Sequence, residues 1–317
     1  MAEKKYTPMM QHYLKMKEEN PDSILFYRLG DFYEMFFEDA KLVSQELDLV
    51  LTGRSAGVEE KVPMCGIPFH AANSYIQRLV KKGYKVAICE QLEDPSSAKG
   101  LVDRGIIKII TPGTYMDATM DAKSTNYMAS CDVSSFEITV IYCELSTGEL
   151  KYQTLQRSLV ALQKALLEQN VSELVCPMTM DKKWMAALEE MDTMLISKHK
   201  KANIDPEDLP LLNGIESESL KEAFALLMAY LKDTQKQRID HFLPIESMDK
   251  DKVLVMDYET KNHLELVSSQ SSNAKAESLW SFMDKCQSAM GSRMLKRWIE
   301  YPLIDAEKIA KRQAAVK

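Results

Sequence analysis

The sequence predicts an α/β protein whose last part is all-helical. Three observations support this class: strand and helix signals alternate over the first 115 residues, Ser146-Thr147-Gly148 is a hairpin signal between two strand-like segments, and the pattern becomes helical from about Asp257. A length of 317 residues allows roughly two domains. We expect a mixed-sheet α/β domain over 1–115, a linker over 116–125, a second α/β domain over 126–250 and the beginning of an all-α region over 251–317.

Each element of the first domain has a local signal. Thr7-Pro8 is typical of a helix start, because proline is tolerated at the first helical position. The apolar run Ile24–Leu29 predicts a buried strand that ends at Gly30. The other predicted elements are a helix over Glu38–Glu46, a strand over Leu47–Thr52, a polar loop over Gly53–Lys61, a helix over Ala71–Lys82, and strands over Tyr84–Leu92 and Ile106–Thr111. Strands separated by helices indicate a mixed sheet.

The second domain continues this alternation. The hairpin signal lies between predicted strands over Phe136–Leu145 and Glu149–Leu155. Four more elements are predicted after it: a helix over Ser158–Gln169, a strand over Glu173–Cys176 and helices over Lys182–Met191 and Ser217–Lys232. The final segment, Ala306–Lys317, has a helical pattern without a stop signal, so we expect this chain to be a fragment of a longer protein.

Composition and charge exclude several classes of protein. The longest all-apolar run, Ala223–Leu231, is too short to span a bilayer, so we expect no membrane association and a cytoplasmic location. The net charge of −7 argues against nucleic-acid binding by bulk charge alone, although the first 115 residues carry only −1 of it. The six cysteines and five histidines show neither Cys-x-x-Cys nor His-x-x-x-His spacing, so we expect reduced thiols and no metal site.

One segment has part of a phosphate-binding loop. Gly100–Gly105 supplies the spacing of the two glycines, but Ile106-Ile107 follows where a P-loop has Lys and Ser or Thr. The lysine that contacts phosphate and the hydroxyl that binds magnesium are both missing. We therefore expect no nucleotide hydrolysis by this segment.

The most unusual feature is the aromatic run after Gly30. Four aromatic residues occur within the six positions Phe32–Phe37. Packing in the core of a following helix explains any one of them. Phe32 and Tyr33 are adjacent, however, and therefore point to different sides, so we expect one ring to project from a strand-to-helix turn. An exposed ring on a rigid turn is a candidate for stacking on a nucleic-acid base.

Gly30-Asp31-Phe32-Tyr33-Glu34 resembles the Phe-x-Glu motif of the MutS family of DNA mismatch recognition proteins. Further blocks that resemble the family, in order, are Thr7–Gln11, Val62–His70, Val86–Gln91, Ile109–Thr114 and Met290–Trp298. Together they cover the whole chain, which is far more specific than one short motif. The resemblance implies a mismatch-binding domain, an RNase H-like connector domain and the start of a helical core and lever domain.

The resemblance also implies roles for particular residues. Phe32 would stack on a base as an aromatic wedge, and Glu34 would hydrogen-bond the displaced base. By family position, Arg54 and Lys108 could contact the DNA backbone, and Met64 could pack beside the wedge. A solvated surface charge, or core packing in the case of Met64, stays open for each of these three.

Partners and cofactors follow from the same resemblance. The expected partners are duplex DNA with mispaired or unpaired bases and a MutL-type repair protein, and the full-length family forms a homodimer. The ATPase domain, with its ATP and magnesium, and the clamp domain are expected beyond Lys317. The fragment itself is thus expected to have no cofactor and no enzymatic activity.

Two alternative functions stay open. One is a metal-dependent nuclease in the second domain, for which Asp132, Glu137 and Glu144 are available as metal ligands. Glu137 and Glu144 are seven positions apart, which places them on opposite faces of a strand and disfavours this function. The other is an interaction scaffold that has lost mismatch reading, which the presence of both Phe32 and Glu34 disfavours.

Overall fold

A computed structural model describes residues 6–93, 102–115, 126–248, 253–269 and 278–316. The helices are α1 (Pro8–Glu19), α2 (Phe37–Leu47), α3 (Ala72–Lys81), α4 (Leu159–Glu168), α5 (Lys182–Glu189), α6 (Glu218–Gln235), α7 (Tyr258–His263), α8 (Leu279–Met283), α9 (Ala289–Glu300) and α10 (Ala306–Val316). The strands are β1 (Ser23–Leu29), β2 (Phe32–Phe36), β3 (Thr52–Arg54), β4 (Val62–Pro68), β5 (Lys85–Gln91), β6 (Arg104–Ile110), β7 (Tyr127–Val133), β8 (Glu137–Glu144), β9 (Glu149–Gln156), β10 (Val171–Pro177), β11 (Leu195–His199) and β12 (Glu246–Ser247).

The first sheet has six strands in the order β3-β4-β2-β1-β5-β6. β1 and β5 are parallel, and every other pair is antiparallel. On one face, here called the α1 face, Met10 and Tyr13 of α1 pack with Phe36 of β2. On the opposite face, the α2–α3 face, Val43 and Leu79 of the two helices belong to the core. Helices on both faces bury the middle of this sheet.

A two-residue loop, Gly30-Asp31, joins β1 to β2, because Leu29 and Phe32 are paired across it. Gly30 has a φ of +58°, which glycine adopts without steric cost. Tight hairpin turns of this length favour such a residue at their first central position. The glycine that ends β1 thus reverses the chain directly into a second strand.

The second sheet also has six strands, in the order β11-β10-β7-β8-β9-β12. β7, β8 and β9 form an antiparallel meander, and β10 and β11 continue the sheet parallel to β7. Phe224 and Leu227 of α6 pack on one face, and Leu162 of α4 and Met185 of α5 pack on the other. None of the helices in the described ranges combines the length and apolar character needed to cross a lipid bilayer.

The mixed α/β class is confirmed, and the structure corrects several element predictions. The predicted strand over Leu47–Thr52 is wrong: α2 runs through Leu47, Asp48 adopts a left-handed conformation, and a strand begins only at Thr52. The aromatic run forms a strand over Phe32–Phe36 before α2 begins. Five further strands are not predicted by the sequence pattern: Thr52–Arg54, Val62–Pro68, Tyr127–Val133, Leu195–His199 and Glu246–Ser247.

The domain boundaries stay predictions. The predicted linker at 116–125 lies outside the described residues, as do residues 249–252 around the second boundary. The regular elements among the described residues after 257 are the helices α7 to α10, and Val253 pairs with Leu303 in an isolated bridge.

A buried carboxylate connects the end of the first sheet to the second. Glu173 of β10 is fully buried and accepts hydrogen bonds from four donors. The donors are the Gly113 amide at 3.0 Å and the hydroxyls of Thr111, Ser197 and Tyr230. Burial of a charge is costly unless donors of this kind satisfy it. The segment that follows β6 is therefore fixed to the second sheet through one side chain.

We expect Glu173→Ala to lower the free energy of unfolding by at least about 3 kcal/mol, because it leaves several buried donors without their acceptor. Urea unfolding followed by circular dichroism measures the change. Glu190→Ala, at an exposed position after α5, is the matched control and should change stability by less than about 0.5 kcal/mol. Equal effects of the two substitutions would contradict the role assigned to Glu173.

Candidate nucleic-acid interface

Phe32 lies at the open end of the first sheet. It is the first residue of β2, and its side chain is on the α1 face because Phe36, four positions later, packs against α1. The two rings differ sharply in exposure, since Phe36 is fully buried and Phe32 is 47% exposed. Its cross-strand neighbours are Leu29 and Pro68. An exposed ring on a paired strand meets the geometric requirement for stacking on a base.

Glu34 lies next to Phe32 on the same face and forms an ion pair with Arg54 of β3. The Glu34 side chain is 15% exposed and the Arg54 side chain 36%. Gly66 of β4 lies opposite Glu34, and a Cβ at that position would be 3.5 Å from Glu34 Cγ and 3.3 Å from the Tyr33 carbonyl oxygen. A side chain at 66 would therefore crowd the Tyr33 carbonyl rather than the Glu34 side chain. The Glu34 carboxylate lies beside the exposed ring with a basic partner.

On its other side, Glu34 is paired across the strands with Tyr27. The Tyr27 hydroxyl is 3.0 Å from Nδ1 of His12, and the Arg104 guanidinium carbon is 5.4 Å from the centre of the Tyr27 ring. Burial raises the pKa of Tyr27 to about 12. Burial, with the nearby Arg104 charge, lowers the pKa of His12. Both groups are therefore neutral near pH 7, and Arg54 is the cation paired with Glu34.

The structure separates Met64 and Lys108 from the wedge position. Met64 pairs with Phe36, which lies four positions after Phe32 at the covered end of β2, and Met64 packs against the core there. Lys108 of β6 is paired with Ile88, which faces α2 and α3, so its side chain lies on the face opposite Phe32 and Glu34. Burial lowers the pKa of Lys108. A backbone contact by Lys108 would use a different surface from that of the wedge.

The strands gather residues that the sequence analysis did not select. Tyr27 and Gly66 on the α1 face, and Arg28 on the opposite face, are cross-strand neighbours of the motif, whose middle residue is Tyr33. The signal that could have found Tyr27 and Arg28 was the two-residue loop Gly30-Asp31, which predicts a hairpin and therefore pairs positions 27–29 with positions 32–34. Gly66 lies on β4, and no local pattern pairs it with Glu34.

The three carboxylates considered for a nuclease do not form one site. Asp132 pairs with Lys201 and accepts a hydrogen bond from Ser219. Glu144 lies at the far end of β8 and accepts hydrogen bonds from Ser146 and Thr147 at the hairpin. In the part of the chain that the structure describes, no group of three or more His, Cys, Asp or Glu side chains is arranged to hold a metal ion.

The partial phosphate loop does not fit a nucleotide either. Gly100 and Leu101 lie outside the described residues. Gly105 is part of β6, paired with Glu90, so the segment leads into a strand. A P-loop instead leads into a helix whose N-terminus faces the phosphates.

Comparison with known families identifies the chain. Residues 7–119 match the model of MutS domain I, and residues 259–317 match that of MutS domain III. The chain is 42% identical over 324 residues to a protein of Clostridium tetani named DNA mismatch repair protein MutS, and 99% of the chain is covered. Relatives of the same name from Bacillus licheniformis and Bacillus subtilis are 43% and 41% identical, each over 98% of the chain. The chain therefore belongs to the MutS family.

The similarity covers only part of these relatives. The chain spans 36% of the length of each of the three, and it matches their N-terminal part.

Proposed function

We propose that this chain recognises mispaired and unpaired bases in duplex DNA, with Phe32 as an aromatic wedge and Glu34 as the group that hydrogen-bonds the displaced base. The observation that supports it best is the exposed Phe32 ring beside Glu34 on one face of a rigid sheet. The names of the MutS relatives, DNA mismatch repair protein, support the same function.

The wedge distinguishes mismatched from paired DNA by mechanics. A ring stacked on a base contributes about 1–3 kcal/mol with little preference for the base. Unstacking two neighbouring base pairs to admit the ring costs a few kcal/mol. In a fully paired duplex this cost roughly cancels the stacking gain. A mismatched step is already weakly stacked and bends more easily. If the binding free energies of the mismatched and the paired duplex differ by about 1.4–2.8 kcal/mol, the protein discriminates between them ten- to hundredfold.

The ion pair gives Glu34 a part in this discrimination. An unpaired carboxylate is repelled by the phosphates of both strands, and Arg54 offsets that charge in the free protein. Partly exposed ion pairs contribute only about 0–1 kcal/mol, so Arg54 can leave Glu34 and contact a phosphate. Glu34 then needs a new partner, which a displaced base supplies through a free N–H group. In a fully paired duplex the N–H groups of the Watson–Crick edges are already engaged in base pairs, and Glu34 has only amino groups at the groove edges to bond, so less of the repulsion is compensated.

The second domain is proposed to be an RNase H-like connector. The antiparallel meander β7–β9, extended by β10 and β11 parallel to β7, supports this fold. The connector would link the mismatch-binding domain to the helical lever domain, which begins in α7 to α10. A MutL-type partner, homodimerisation and coupling to ATP in a longer chain are proposed from family membership. The nuclease and scaffold alternatives are not favoured.

We expect Phe32→Ala to weaken binding to a duplex with one G·T mismatch by about 1–3 kcal/mol and to leave binding to the paired duplex nearly unchanged. Fluorescence anisotropy with labelled duplexes measures both affinities. Phe136→Ala removes an equally large ring that is 90% exposed in the loop between β7 and β8, and it serves as the matched control. Mismatch affinity equal to that of the parent chain would refute the wedge.

We expect Glu34→Gln to tighten binding to the fully paired duplex by about 1 kcal/mol, because it removes a repelled charge and releases Arg54. The same anisotropy titration measures it. Glu38→Gln makes the same charge change at an exposed position near the start of α2 and should have a smaller effect. Weaker binding of the Glu34→Gln variant to paired DNA would contradict the proposed repulsion.

A further inference from the structure

We propose that Arg28 is a positioning residue that holds the turn carrying Phe32 in place from behind. This inference rests on the proposed function, because it concerns how the wedge is held. Arg28 belongs to β1 and is paired with Tyr33, so its side chain lies on the α2–α3 face, opposite to Phe32. Its side chain is only 15% exposed.

Arg28 lies in a row of polar groups across three strands. Its Nη1 is 3.4 Å from Oε1 of Glu90 on β5. The hydroxyl of Tyr33 donates to the same Glu90 oxygen. Burial, with the hydrogen bond to Glu90, raises the pKa of Tyr33, so the phenol stays protonated as a donor. Glu90 therefore orients Arg28 and Tyr33 together.

From this row, Arg28 contacts the turn directly at Gly30 and through Phe69 at Asp31. Its Nε donates to the carbonyl oxygen of Gly30. Its guanidinium carbon is 3.7 Å from the centre of the Phe69 ring, and the Phe69 amide donates to the carbonyl oxygen of Asp31 at 2.9 Å. Both carbonyls of the two-residue loop thus have a donor, one from the Arg28 side chain and one from the backbone amide of the residue on whose ring Arg28 stacks.

A fixed turn matters because a wedge must transmit force to a base step. A binding group that shifts by about 1 Å loses much of its effect, and supporting contacts prevent this. The planar guanidinium suits this position because it can stack on Phe69 while its nitrogens donate in two directions. A lysine keeps the charge but offers a single ammonium and no flat surface.

A direct contact to DNA is the competing role for Arg28. Its placement argues against it, because the guanidinium faces away from Phe32 and is already engaged by Glu90, the Gly30 carbonyl and Phe69. The two roles differ in a measurable way. Loss of a phosphate contact lowers the slope of log binding constant against log salt concentration by about 1. A displaced wedge leaves this slope unchanged.

The test uses the whole chain with the substitution Arg28→Lys, which keeps the charge and the aliphatic stem. Arg78→Lys makes the same change at an exposed position of α3 and is the control. Hydrogen exchange at the Phe69 amide is measured without DNA. Affinities for G·T-mismatched and paired duplexes are then measured at two salt concentrations, in the parent and in the Phe32→Ala background. The double-mutant comparison isolates the part of the effect that acts through Phe32.

We expect Arg28→Lys to speed exchange at Phe69 and to lower the ratio of mismatched to paired affinity about fivefold, or about 1 kcal/mol. We also expect no further loss of that ratio in the Phe32→Ala background. For the salt dependence we add Arg28→Gln, which removes the positive charge, and expect it to leave the salt dependence unchanged. Parent-like exchange, the same loss without Phe32, or a reduced salt dependence would each overturn the proposal. If the parent chain does not prefer mismatched DNA, the proposed function fails, and exchange at Phe69 alone decides whether Arg28 holds the turn.

Discussion

The alternation of side chains along β2 is the constraint on which the site depends. Phe32, Glu34 and Phe36 lie on one face because they are two positions apart, and α1 covers only the end that carries Phe36. The buried end anchors the strand in the core, and the uncovered end presents a ring and a carboxylate. The position of Phe32 is therefore a consequence of how Phe36 packs. The five residues of β2 contribute to both the core and the exposed surface.

Under the proposed function, local charge matters more than net charge in this protein. An acidic chain with a net charge of −7 has little general attraction for DNA. The Glu34–Arg54 pair instead places one removable cation beside one carboxylate at the exposed ring. Such an arrangement favours DNA that supplies a new partner for the carboxylate. Under the proposed function, discrimination comes from what the duplex offers at one step, and affinity comes from contacts elsewhere.

Much of the fold followed from local patterns, and most of the site did not. The Thr7-Pro8 helix start and the apolar strand after Pro21 are present in the structure. The exposed ring at Phe32 is present too, but it lies at the start of a strand after a hairpin loop, so the predicted strand-to-helix turn at this position is wrong. The Glu34–Arg54 contact depends on the strand order β3-β4-β2, which no local pattern encodes. A one-residue bulge in β6 turns Lys108 away from the face of Ile106, whereas simple alternation would place both together.

The most direct test of the central claim is photo-crosslinking. 5-Iodouracil replaces the thymine of a G·T mismatch, the complex with this chain is irradiated, and the crosslinked peptide is identified by mass spectrometry. If Phe32 stacks at the mismatch, the crosslink forms at Phe32 with the mismatched duplex and is absent or much weaker with a paired duplex. A crosslink in another segment, or equal yields at Phe32 from both duplexes, would contradict the wedge.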